Sequence, residues 1–408
     1  MALGKLWTLA WRDLGRNRRR TLFSVIAVAL GLALLIMMNG LIAGARDDSL
    51  RNSIRFETGH VQLRAASYDA RKLSLQWKDL LAEPDALAAQ AKALPEVKAV
   101  APVLWAGSVL TTRDESTDLK LFGIDTESAI YDPFRQAMVA GEFLTPDDRS
   151  GILISKSLAG SLGIGVGDKV NLAVVNANGE PDDSPFTVRG LFQTGFFTYD
   201  DGAVLMPLSK AQAYTATDGH ASAVVVLLNN QDDTERVAAA LQSPGVTPFT
   251  YLKLNEAFLQ TLESAMGFYV ILYGIVILVV AVIIANTLLM AVFERVREMG
   301  ILAALGMKGR QVATMFLLEA TILGVIGVAL GILLGCAIVA YLVKVGIPIG
   351  DSASVVQGIA MGTTMYASFD IRAIASLSVW TLIITLLASL YPARYASRLE
   401  PVEALRAQ

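Results

Sequence analysis

The chain has 408 residues, 54% of them hydrophobic and 17% charged, with a formal net charge of −3. That balance lies on the apolar side of globular composition, and it gives no basic surface of the kind nucleic acid requires. Cys336 is the only cysteine, which excludes an intrachain disulfide.

Residues 1–20 are expected to form a cytoplasmic amphipathic N-terminal helix. Leu6, Leu9, Ala10 and Leu14 recur at helical spacing, Trp7 and Trp11 lie beside them, and Arg16, Arg18, Arg19 and Arg20 close the segment. Such a helix lies in the membrane interface, although a simple basic flank would have the same composition. Residues 21–45 carry no charge. A span needs roughly 20 apolar residues, so this is the first transmembrane helix. It is too long for the roughly 7–15-residue core of a cleaved signal.

Residues 46–263 read as an extracytoplasmic α+β domain on helical stalks. "ARDDSLRNSIRFETGH" continues the helical pattern to Gly59, and "NEAFLQTLESAMGFYV" leads into the second span in the same way. Between them, β-rich pieces such as "HVQLRA", "VAPVLWAGSVLTT", "GILIS", "GAVLMP" and "SAVVVLLN" alternate with turns and with helical pieces such as "DALAAQAKALPEV" and "DTERVAAALQS".

The remaining spans are expected at 264–293, 310–343 and 373–393, with a loop at 344–372 and a tail at 394–408. Arg295, Arg297, Lys308 and Arg310 follow the second span, and Arg394, Arg398 and Arg406 occupy the tail. Lys and Arg in short flanks mark the cytoplasmic side, so both termini face the cytoplasm and residues 46–263 and 344–372 lie outside.

The connector 294–309 is more than a loop. In "FERVREMGILAALGMKGRQV", Val296, Met299, Ala303 and Met307 recur at i+3 and i+4 spacing, and the segment ends at Gly306 and Gly309. It is expected to be a coupling helix whose apolar side chains enter a groove on a partner, with Glu294, Arg295, Val296, Glu298, Met299, Gly300, Ala303, Leu305 and Gly306 at the contact. An interfacial helix on lipid is the alternative.

Three polar groups lie in apolar surroundings: Glu319, Asn286 and Asn39. Ionisable groups in a span are functional candidates, while a carboxylate hydrogen-bonded to a neighbouring helix is the other reading of Glu319. Gly324, Gly327, Gly331 and Gly335 form a small-residue stripe that lets helices approach.

No G-x-x-x-x-G-K-[ST] phosphate loop occurs, and "GIGVGDKV" at 163–170 lacks the spacing and following helix of a nucleotide loop, so it reads as a turn. His60 and His220 are isolated, which argues against a metal site. Asp47 with Asp48, Asp147 with Asp148 and Asp200 with Asp201 read as solvated caps. No catalytic residue and no cofactor site is expected on this chain.

These segments together resemble the MacB/FtsX-like permease family of ABC transporters, in layout the LolC/LolE-type lipoprotein-releasing permeases. The likeness rests on "RDLGRNRRRTLFSVIAVALGLAL", "FERVREMGILAALGMKGRQV", "FLLEATILGVIGVALGILLG" and "YPARYASRLEPVEALR", and inside the domain on "LFGID" and "GILISKSLAGSLGIGVGDKVNL". The resemblance implies an α-helical membrane protein with four transmembrane helices and a MacB-like periplasmic core domain between the first two, in a bacterial inner membrane. It also implies a cytoplasmic ABC ATPase dimer that binds ATP and Mg, and a second copy of this chain or a homologous permease. The implied activity is mechanotransmission that extracts or exports a lipoprotein, lipid or other amphiphile, with a periplasmic acceptor or adaptor as a further partner. By the same resemblance Glu319, in a recurring Leu-Glu-Ala, has a structural or assembly role. An FtsX-like transducer that relays ATPase state to an envelope enzyme is the alternative function.

Overall fold

The computed structural model describes residues 3–16, 18–69, 72–113, 115–304, 306–348 and 364–398. They form two compact units: Met1–Ala45, Leu262–Ile347 and Met365–Gln408 make one, and Arg46–Thr261 with Pro348–Thr364 the other. Among the described residues, four helices are long and apolar enough to cross a membrane: Arg18–Thr58, Glu256–Glu294, Gly309–Val345 and Ile371–Ser397. The residues 349–363 of the expected outer loop and 399–408 of the expected tail lie outside the described residues.

In the first unit the glycine stripe decides how the third span packs. A Cβ on Gly327, Gly331 or Gly335 would lie 2.7, 2.9 and 2.9 Å from the Cβ atoms of Val28, Leu32 and Ile36 respectively. Both sets repeat every four residues, so one face of the third span lies flush on one face of the first. Gly324 faces elsewhere: its Cβ would meet Leu382 and Thr385 of the fourth span at 3.0 and 3.1 Å. The N-terminal helix, Leu3–Arg16, buries Ala10 and Leu14 among Val25, Leu288 and Leu323, while Trp7 and Trp11 stay exposed on its outer side. It therefore presents one face to the bundle and an aromatic face to its surroundings.

The second unit is built on a mixed sheet of ten strands among the described residues. Its order is Val246–Thr250, Val61–Ala65, Ala223–Leu228, Val97–Thr111, Ser116–Ile124, Ala203–Pro207, Gly151–Ser155, Pro181–Phe192 and Met138–Gly141, with Lys169–Val175 pairing with both Val97–Thr111 and Pro181–Phe192. Two pairings are parallel, Ser116–Ile124 with Ala203–Pro207 and Gly151–Ser155 with Pro181–Phe192. The central strands bury both faces, which is why they read as unbroken apolar runs. Val103 and Trp105 belong to one core with Phe122, Leu153 and Leu205. Their neighbours Leu104 and Ala106 belong to the other with Leu121, Ile154 and Met206. Helices Pro84–Lys92 and Thr234–Ala240 cover the first face through Ala91 and Val237, and Lys156–Ser161 and Leu208–Thr215 cover the second through Leu158 and Ala211.

The helical arm of this unit ends in a π-helical turn, Ile54–Thr58, stopped at Gly59 with φ 58°. A Cβ there would sit 2.7 Å from the Val226 carbonyl oxygen, so glycine satisfies both the left-handed backbone and the close approach. Residues 163–168 are a turn leading into the strand Lys169–Val175, in which Gly165 N donates to Asp168 Oδ2 at 2.8 Å. One carboxylate differs from the solvated cap expected of it. Asp200 is 7% exposed and receives Thr194 N, Thr194 Oγ1 and Gly195 N at 2.8, 2.8 and 2.9 Å. Burial raises its pKa, and these three donors oppose the rise.

Candidate functional site

The helix between the second and third spans runs Val296–Ala304. Arg295 is the hinge residue before it: its N donates to Val292 O at 3.1 Å and its carbonyl receives Met299 N at 3.0 Å. Its own side chain turns inward and is 4% exposed. There it meets the N-terminal helix, with Nη1 2.8 Å from Asp13 Oδ2 and Nη2 donating to the Asp13 carbonyl at 3.3 Å. On the other side Nη1 is 4.0 Å from Glu319 Oε2 of the third span, which is 2% exposed.

Further charges complete the cluster. Arg20, at the start of the first span, donates to Glu294 Oε2 at 2.8 Å and lies 3.7 Å from Glu319 Oε1. Arg16 pairs with Glu298 on the outside, where both side chains are substantially exposed. Four chain segments are thus tied at one point: the N-terminal helix, the entry to the first span, the connector and the third span. Glu319 sits between two guanidinium groups, at distances where charge attraction rather than a short hydrogen bond holds it.

The connector's apolar stripe has a different role from the one its period suggests. Met299 is 4% exposed and packs with Ala291, Val292, Val312, Met315, Phe316, Ala393 and Ala396, and Val296 and Met307 join this cluster. Gly300 is buried as well. These side chains are satisfied by the chain's own third and fourth spans, so Val296, Met299 and Gly300 are not free to enter a groove on another chain. Gly309 adds to this closeness, since a Cβ there would lie 2.5 Å from the Ser397 carbonyl oxygen. The face that remains outside carries Arg297 and Ile301 at i+4 spacing, with Ile301 48% exposed, and Phe293, near the end of the preceding helix, is 54% exposed with one edge of its ring against Tyr395. Glu294 and Gly306 are exposed beside it. The side chain of Ala303, and Leu305 entirely, lie outside the described residues.

Of the other polar candidates, neither asparagine belongs to the cluster. Asn39 faces Tyr273 of the second span, and Asn286 is exposed. The residues that sequence reasoning missed are Asp13, Arg16 and Arg20 as partners, and Phe293, Arg297 and Ile301 as the outer face. Asp13 and Arg16 lie three residues apart on the helix Leu3–Arg16, and Arg20 lies on the next helix, so only the first two shared a spacing that the sequence could show.

Two family models match the chain, one described as the MacB-like periplasmic core domain over residues 21–243 and one as the FtsX-like permease C-terminal over residues 270–401. Among curated relatives, a lipoprotein-releasing system transmembrane protein LolC of Neisseria meningitidis serogroup B is 24% identical over 412 residues, 95% of this chain and 94% of the relative. An uncharacterised ABC transporter permease of Methanocaldococcus jannaschii is 22% identical over 100% of this chain and 99% of its own length. A macrolide export ATP-binding/permease protein MacB of Nitrobacter winogradskyi is 24% identical over 97% of this chain, which spans 59% of that relative.

Proposed function

Because this chain belongs to the family of ABC transporter permeases that join a MacB-like periplasmic core domain to an FtsX-like C-terminal part, we propose that it is the membrane subunit of an ABC complex driven by an ATPase on a separate chain. The ATPase pair grips the connector from the cytoplasm and binds the ATP and Mg. Its closing and opening move the spans and the domain by mechanotransmission, and the work extracts or exports a lipoprotein, lipid or other amphiphile from an inner membrane. Two permease chains, identical or homologous, meet one ATPase pair. Lys and Arg around the connector and before the first span support a cytoplasmic placement for both, with the domain of residues 46–263 periplasmic. A relative named both ATP-binding and permease supports a working link between a permease of this kind and an ATPase.

The observation that carries this reading is the buried Arg295 between Asp13 and Glu319. A push on an isolated loop would be lost in the loop. A push on this helix reaches the N-terminal helix through Asp13, the first span through Glu294 and Arg20, and the third span through Glu319 and the Met299 core. The inner face thus transmits, and the outer face, Phe293, Arg297 and Ile301, receives.

Site-specific photocrosslinking tests the assignment. A photoreactive residue at 301 should join this chain to the ATPase, whereas one at 299 should yield only products within this chain. Crosslinking to the ATPase from 299 and not from 301 would reverse the two faces and overturn the reading.

A further inference from the structure

We propose that a cleft in the α+β unit binds the phosphate headgroup of an anionic lipid. Binding there needs no ATPase, so it stands apart from the coupling function.

The cleft encloses about 580 Å³, within the roughly 300–1,000 Å³ usual for small-molecule sites. Its walls divide by chemistry. Leu50 and Ile54 of the helical arm, Ile130 of the turn Ala129–Tyr131, and Val225 and Leu227 of the strand Ala223–Leu228 supply an apolar lining. Arg51, Arg55 and Lys98 supply cations at exposed positions on the same cleft. Neither Arg55 nor Lys98 forms an ion pair among the described residues; the Arg55 guanidinium lies 5.4 Å from the centre of the Phe56 ring, and its Nη2 makes a long 3.4 Å contact to Gln136 Oε1. Of the two acids on the cleft, Asp132 is already paired with Arg135.

His60 adds a neutral donor. Its Nδ1 accepts Leu228 N at 3.0 Å, which puts the ring proton on Nε2. Burial, and then the charge of Lys98, hold its pKa below the ordinary value, so the ring is uncharged at neutral pH.

Two arginines beside an apolar wall suit a phosphate that carries a tail better than they suit free phosphate, because guanidinium groups form paired hydrogen bonds with phosphate oxygens while the wall removes hydrocarbon from water. Chain position favours the same source. Arg51 follows the charge-free run 21–45 by six residues on one helix.

The full-length chain in phosphatidylcholine nanodiscs, doped with a phosphatidylglycerol carrying a photoactivatable tail, provides the test. Mass spectrometry should find label on the segments 47–55 and 129–136. The pair Arg55→Glu and Lys98→Glu, both at exposed positions, should reduce that label by at least about tenfold, which the loss of a single charge-assisted phosphate contact would already give. Ile130→Trp, which fills the cleft and leaves every cation in place, should reduce it as well while the thermal transition is kept. Inorganic phosphate in excess should not displace the lipid. Equal labelling by a zwitterionic probe, label indifferent to the charge reversals, or displacement by inorganic phosphate would each overturn the assignment.

Discussion

Seven charges meet at the connector, and burial ranks them. Arg295 and Glu319 are 4% and 2% exposed in their side chains, whereas Arg16 and Glu298 are 62% and 45% exposed. Removing one member of a buried ionic group leaves the others uncompensated and costs about 3–5 kcal/mol, while an exposed pair contributes about 0–1 kcal/mol. Arg295→Met is therefore expected to lower stability by about 3 kcal/mol, and Arg16→Gln, at an exposed position, to leave it unchanged. Thermal unfolding in detergent reads the difference, and equal effects would show that the cluster is not a buried unit. In the α+β unit, His60 makes the stability depend on pH. Its folded pKa lies below the unfolded value of about 6.5, so the unfolded chain takes up the proton first and stability falls as pH drops below that value. The melting temperature should decline between about pH 7 and 5, and His60→Gln should flatten the slope.

Under the proposed function, the two faces of the connector separate folding from coupling. Ile301→Asp places a charge on an exposed surface and should leave insertion and melting unchanged while it weakens retention of the ATPase. Met299→Asp places a charge among Phe316, Met315 and Ala393 and should destabilise the bundle itself. Membrane insertion, melting temperature and ATPase copurification distinguish the two variants. The glycine stripe gives a matched pair of the same kind. A Cβ at Gly331 would already lie 2.9 Å from Leu32 Cβ and 3.0 Å from the Ala29 carbonyl oxygen, whereas Gly274 of the second span has nothing within 4 Å. Gly331→Leu is expected to separate the first and third spans and cost about 1–3 kcal/mol or more, with Gly274→Leu nearly neutral. Similar losses at both positions, measured by melting, would contradict the packing assigned to the stripe. The stripe was legible because small residues at four-residue spacing have few other uses in a span. The connector's period was legible too, but a period tells which face is apolar and not what covers it, and here the cover came from the chain's own third and fourth spans.

For the whole molecule, charge and hydropathy alone located four apolar helices and an α+β unit, since charge-free runs of span length are rare in soluble cores. The order of the sheet was not legible. Ala203–Pro207 lies between Ser116–Ile124 and Gly151–Ser155, and such long-range pairing leaves no local mark on strands that are apolar on both sides. The charge cluster was half legible: Glu294, Arg295, Glu298 and Glu319 stood out as charges beside spans, but Asp13 and Arg295 are 282 residues apart in the chain. Coexpressing the chain with candidate ABC ATPases, reconstituting the complex in proteoliposomes and following ATP-dependent release of a lipid-anchored reporter tests whether a separate ATPase drives this chain through the connector. The complex should copurify and release the reporter with ATP, and Ile301→Asp should abolish release while the chain stays folded. Failure of any ATPase to copurify, or release undiminished in Ile301→Asp, would contradict that mechanism.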